Sequence, residues 1–322
     1  MSRTVQDVLA SQTDDFEVHH KLHDVDPHAV YEVTFEGRKA VCKVSRGPRG
    51  AATIEGRVLR YVGRETTIPV PEILTVGAEG FVAAYCDDAP EEPDPEERRL
   101  DSEWLRVAGR ALARLHDEAT FDRPGLLTVD GDSADTNTGI RVDADARATW
   151  SDALDDLLAV YHGALRGTEY ATTVADAREF LSNHADRFDV FQSQEPSLLH
   201  GWFSPDHVAV SDGAVNRVID FEHALVGSSE WDYWRTAMPL FEGGGWEQPT
   251  DAREVFRSGY ESVRPLPDGF EDRADAYRAF VAVSHLDSLH TQRGIDDGTR
   301  EIAEFLRSYV SDALGELRTE WD

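Results

Sequence analysis

Lysine is scarce in this chain: three in 322 residues, Lys21, Lys39 and Lys43, against 29 arginines. Cysteine is scarcer, with Cys42 and Cys86 alone, which excludes a disulfide scaffold. Both lie in β-like apolar runs and read as reduced core thiols. No apolar run approaches the roughly 20 residues of a membrane helix. The opening segment MSRTVQDVLASQTDDF has no apolar signal core. Basic residues are outnumbered 62 to 32, for a net charge of −30. Such a surface repels nucleic acid and anionic lipid. Together these absences predict a soluble, cytoplasmic protein with no nucleic-acid or membrane partner.

Two readings of the acidity compete. One is a protein that attracts cationic substrates. The other is adaptation to a salt-rich cytoplasm, where screening relieves self-repulsion. The replacement of lysine by arginine and the even spread of acid along the chain favour the second. Charge then says little about substrate. Hydrophobic residues make up 40% of the chain, enough for a sizeable core.

The first ninety residues predict strands at Phe16–Asp24, Ala29–Glu36 and Lys39–Ser45, with a turn at Glu36-Gly37. Ala51–Gly63 has helical spacing through Ile54, Val58, Leu59 and Val62. Ile73–Val76 and Phe81–Cys86 flank a second turn. The acidic, proline-rich run DDAPEEPDPEE at 87–97 predicts an exposed linker or insertion.

Beyond it the chain predicts helices. Asp101–Asp117 aligns Trp104, Leu105, Ala108, Leu112 and Leu115. Thr299–Leu317 aligns Ile302, Phe305, Leu306, Tyr309, Leu314 and Leu317. Further helices are expected near 150–164, 173–186, 250–262 and 270–291. One β island, Val208–Val210 and Val215–Ile219 around Ser211-Asp212-Gly213, interrupts them. These divisions predict an α+β, bilobal chain: a small β-rich N-lobe at 1–86, an acidic linker at 87–100, and a large helical C-lobe at 101–322.

The chemistry concentrates around that island, in LLHGWFSPDHVAV and then VNRVIDFEHALVG. A phosphotransferase loop presents a base and a metal-binding amide, and a second loop one hairpin later presents the main metal-binding carboxylate. The two segments resemble the H-G-D-x-x-x-x-N and I-D-[FW]-E motifs of the aminoglycoside phosphotransferase and choline kinase family, which has a protein-kinase-like fold. AVCKV at 40–44, IEGRVLRYV at 54–62, IPVPEIL at 68–74 and GRALARLHD at 109–117 extend the resemblance in the same order.

The resemblance assigns positions. Trp202 matches the catalytic aspartate, His207 the metal-binding asparagine, Asp220 the metal-binding aspartate and Glu222 the acid beside it. Lys43 matches the phosphate-binding lysine and Glu55 its helical partner. His200 matches a structural loop histidine. Gly227 and Asp232 match residues that hold the following helix. Phe81–Asp87 matches the hinge that grips adenine through backbone groups. ATP and Mg²⁺ are the cofactors the resemblance implies, with a small hydroxyl-bearing molecule as acceptor.

Three departures bear on activity. Indole has no acceptor and cannot act as a base at position 202. Imidazole at 207 suits transition metals better than Mg²⁺. The phosphate-covering stretch HDVDPHAVYEV has no glycine and carries Asp24 and Asp26. The expected function is therefore a catalytically impaired, kinase-like pseudoenzyme. Two alternatives stand beside it. One is an active phosphotransferase with a rearranged site, in which Asp206 is the weak candidate for a substitute base. The other is a transition-metal protein built on His200, His207, His223, Asp220 and Glu222. Trp231, Trp234, Trp246 and His116 are expected to pack.

Overall fold

The computed structural model describes residues 4–47, 49–129, 140–143, 149–189 and 195–321. Helix α1 (Val5–Ala10) opens with a capping box between Thr4 and Asp7. It lies against an antiparallel sheet of β1 (Phe16–Val25), β2 (His28–Phe35), β3 (Arg38–Ser45), β4 (Ile73–Val76) and β5 (Gly80–Ala84), in the order β1-β2-β3-β5-β4. Strand alternation divides β3. Ala40, Cys42 and Val44 turn to a core shared with Val8 and Leu9 of α1. Lys43 turns to the opposite side. Burial pushes the Cys42 thiol up to about 12, which makes it inert.

The opposite face carries α2 (Ala52–Glu65). Gly56 lets this helix touch β5, where a Cβ would lie 2.6 Å from that of Phe81. Val58, Leu59 and Val62 pack there in a core continuous with that of the C-lobe. The fold is a bilobal, protein-kinase-like α+β architecture with a β-rich N-lobe and a helical C-lobe. The stretch 87–99 is mainly exposed, and Leu100 is buried.

The C-lobe runs through α3 (Ser102–Glu118), β6 (Gly125–Val129), β7 (Ile140–Val142), α4 (Trp150–Ala164), α5 (Ala171–Asn183), α6 (Ala185–Phe188), β8 (Ser197–Leu199), β9 (Val208–Ser211), β10 (Ala214–Val218) and β11 (Leu225–Gly227). It closes with α7 (Ser229–Phe241), α8 (Ala252–Glu261), α9 (Ala274–Gln292) and α10 (Arg300–Trp321). No helix among the described residues is long and apolar enough to cross a membrane.

Two expectations need correction. The β9–β10 hairpin is not the one β island of the C-lobe: a four-stranded sheet, β7-β6-β11-β8, accompanies it. Helix α7, the helix that the resemblance expects after Gly227, is buried on nearly every side and shows no polar stripe. On α10 the buried stripe is Ala303, Leu306, Val310, Leu314 and Leu317. Ile302 and Phe305 face outward, 47% and 64% exposed, because they lie one position off that i, i+3/i+4 row.

Candidate active site

Lys43 projects from β3 into the cleft, and its ammonium meets three carboxylates. Asp220 Oδ1 lies at 2.6 Å, Glu55 Oε2 at 2.7 Å and Glu222 Oε2 at 3.2 Å. Glu55 reaches the lysine from the first turn of α2. Glu222 Oε2 also accepts from His28 Nδ1 at 2.8 Å. The other His28 nitrogen, Nε2, accepts the Ala51 N–H at 3.0 Å, which fixes the tautomer. Sequence reading missed His28. Its only signal was a polar residue opening an apolar strand.

The loop after β8 is held from beneath. Asp232 of α7 accepts the N–H groups of His200 and Gly201, each at 2.7 Å, and pairs with His116 Nε2 at 3.0 Å. His116 is itself tied to the Tyr260 hydroxyl. Gly201 adopts φ +85°, and a Cβ there would meet His223 at 2.6 Å, so only glycine fits. His200 Nε2 reaches the Ile219 carbonyl at 2.9 Å, joining this loop to the next. Burial pushes the His200 pKa down to about 4, which leaves it a neutral structural ring. Gly227 closes β11 beneath Trp150, where a Cβ would lie 2.1 Å from the indole.

Trp202 stands half-buried at the mouth of this loop. It offers no acceptor to a hydroxyl. Asp206, four residues on, is bound to the Ser204 hydroxyl, with its second oxygen 3.7 Å from His207 Nε2. Both partners belong to the loop itself. The loop returns through His207, whose Nδ1 lies 2.9 Å from the Trp202 carbonyl and whose Nε2 lies 3.2 Å from Asp220 Oδ2. Asp220 is in the left-handed region at φ +66°, a conformation non-glycine residues rarely adopt. Lys43 and His207 grip its two oxygens and hold it there.

The electrostatics follow from this packing. Burial disfavours the His207 imidazolium, but Asp220 outweighs burial and raises its pKa to about 9. Burial likewise opposes the Lys43 charge, yet Asp220, Glu55 and Glu222 hold it well above the usual lysine value. The Asp220 carboxyl stays well below its usual range despite burial, through Lys43 and His207. Burial and neighbouring Asp220 oppose the Glu222 charge, but Lys43 and the His28 bond bring its pKa down to about 2. Glu55 goes the other way, to about 8, because burial outweighs Lys43. Two cations, Lys43 and His207, therefore face the Asp220 and Glu222 carboxylates, with Glu55 the carboxyl most inclined to keep its proton.

This arrangement does not fit Mg²⁺. Both Asp220 oxygens already carry a cation, and the neighbouring position is a protonated imidazole. The donor set His28, Glu55 and Glu222 comes within 4.8 Å of one another. It does not suit a transition metal either. His28 Nδ1 carries the proton that Glu222 accepts, and the Lys43 ammonium contacts both acids. A triphosphate also fits poorly. The β1–β2 turn is Asp26-Pro27, and proline offers no N–H. The Asp24 carboxylate there is held by Lys21 and Arg46. At the expected hinge, the Lys39 ammonium covers the Tyr85 ring at 3.4 Å, and the Cys86 carbonyl accepts the Ala89 N–H.

The model of a phosphotransferase enzyme family, APH, matches residues 23–266. The chain belongs to that family. A Klebsiella aerogenes protein named "Probable ketoamine kinase" is 25% identical over 298 residues, covering 88% of this chain and 92% of that protein. The solved ternary complex of a thermostable aminoglycoside phosphotransferase APH(4)-Ia mutant with ADP and hygromycin B superposes with a TM-score of 0.60. Its identity is 17%, over 96% of each chain. A microcompartment-associated aminopropanol kinase superposes at 0.58 with 16% identity, over 97% of this chain and 95% of that one. These phosphotransferases share the fold described above.

Proposed function

We propose that this family member does not transfer phosphoryl groups at a useful rate and keeps the fold to bind a small molecule. The observation that carries this reading is the indole at 202, beside an Asp220 carboxylate saturated by Lys43 and His207. Positioning and charge stabilisation supply most of phosphoryl-transfer catalysis. Here the base position, the metal carboxylate and the phosphate-covering turn are all turned to other uses. Product analysis of the purified chain with Mg-ATP and a panel of small alcohols tests it. ATP-dependent phosphorylation of any of them at kinase-like rates refutes it.

A second reading is favoured by one retained feature, the Lys43–Glu55 pair beside Asp220. In that reading the chain is an active phosphotransferase for a small hydroxyl-bearing molecule, and nucleotide opens the cluster. It requires a thermal shift with ATP and Mg²⁺ or Mn²⁺. A metal-protein reading requires bound transition metal by elemental analysis, and the fixed His28 tautomer weighs against it.

The acidic, lysine-poor composition supports residence in a salt-rich cytoplasm.

A further inference from the structure

The charge beside position 202 is the reverse of what a catalytic carboxylate would give. Arg235, on α7, is 2% exposed. Its Nε–H donates to the Gly201 carbonyl, and an Nη1–H reaches the Tyr161 hydroxyl at 3.3 Å. Among the described residues no carboxylate pairs with it. A guanidinium has five N–H donors, so most of the fork is unused. Burying an unpaired cation costs several kcal/mol. The Trp202 and Trp231 rings, 5.6 and 5.8 Å away, return part of that. Asp287 lies near enough for its charge and that of Arg235 to favour each other, but the two form no ion pair, and Asp287 Oδ2 accepts from Arg49 Nη2 at 2.7 Å.

The surroundings add neutral donors and an apolar platform. The Trp202 indole meets His285 edge-on at 5.1 Å and lies 6.5 Å from His223. All three are half-buried. Burial, and then Arg235, lower the His223 pKa to about 4 and the His285 pKa to about 3. Each ring is neutral at pH 7 and keeps one N–H. Neither His285 nitrogen has a hydrogen-bond partner among the described residues.

We propose that Arg235, Trp202 and His285 form a binding site for a small planar monocarboxylate, its carboxylate on the guanidinium and its flat body on the indole. A planar fork matches a carboxylate. The proposal rests on the reading that position 202 no longer serves as a base.

Calorimetric titration of the full chain with benzoate and its neutral isostere benzamide, at pH 7 and fixed chloride, tests it. Saturable benzoate binding is expected, with benzamide weaker by about tenfold or more. Arg235→Met should remove that preference. Trp202→Asp, which sets a carboxylate against the guanidinium, should abolish benzoate binding while the far-ultraviolet spectrum stays unchanged; this variant decides the matter if Arg235→Met does not fold. No benzoate binding in the millimolar range, equal affinity for benzamide, or undiminished binding by Trp202→Asp overturns the proposal. ATP turnover by the wild type would overturn the pseudoenzyme reading and leave the benzoate result standing, so the two failures are distinguishable.

Discussion

The Lys43 ammonium lies 2.6 Å from Asp220 Oδ1, and this contact joins the N-lobe sheet to the loop after β10 across the cleft. In a catalytic arrangement those two groups would face phosphate and metal. Here they neutralise each other, with Glu55, Glu222 and His207 completing a closed ionic cluster. On the function proposed above, the lysine is a structural element, which leads to a stability prediction.

Lys43→Met should destabilise the protein by about 3–5 kcal/mol, because it leaves Asp220 and Glu222 buried without their cation. Equilibrium urea unfolding measures this. Adding Glu222→Gln to Lys43→Met should recover part of the loss. A Lys43→Met variant within about 0.5 kcal/mol of wild type would mean that the cluster contributes no stability.

The pH dependence follows from His207. Its folded pKa, about 9, stands above the ordinary 6.5. The associated stability is therefore complete below about pH 6.5 and is lost as pH rises toward 9. Glu55, raised to about 8 from 4.5, acts in the same direction over a lower window. Wild type should lose up to about 3 kcal/mol between pH 6.5 and 9 through His207, and His207→Gln should flatten that part of the profile. Chemical denaturation at intervals across this range is the measurement. An identical slope in the variant rules out the imidazolium as its source.

Much of this arrangement was readable in the sequence, and the failures share a cause. Strand alternation placed Lys43 on β3, and motif order placed Asp220 one hairpin after His207. His28 escaped notice because its partner Glu222 lies 194 residues away. Arg235 escaped because α7 is buried all round and carries no stripe to mark a face. The short strands of the β7-β6-β11-β8 sheet are three to five residues long, and tertiary pairing rather than local pattern defines them. On α10, the apolar character of Ile302 and Phe305 matches a buried face, yet both are exposed. Burial there is settled by register against α9.

Asp232 tests the positioning of the loop. It accepts the His200 and Gly201 amides and pairs with His116. Asp232→Ala should cost about 3 kcal/mol or more, since each buried donor left unsatisfied costs about 1–3 kcal/mol. Hydrogen exchange should show the loss of protection centred on residues 200–202. Unchanged exchange there would show that the loop holds its shape without the aspartate.

Salt dependence tests the reading of the surface. A net charge of −30 makes the folded state self-repelling at low ionic strength. The melting temperature should rise steadily as KCl is raised into the molar range, and a flat or falling curve would count against adaptation to salt.

The central claim is that this site no longer performs phosphoryl transfer, and ATP turnover in paired samples tests it most directly. Wild type and Trp202→Asp/His207→Asn would be assayed side by side for ADP release with Mg²⁺ at molar salt. The account predicts no release above blank from wild type and detectable release from the double variant. Wild-type release at the roughly 1–100 s⁻¹ of ordinary kinases, equal to or above that of the variant, would contradict it.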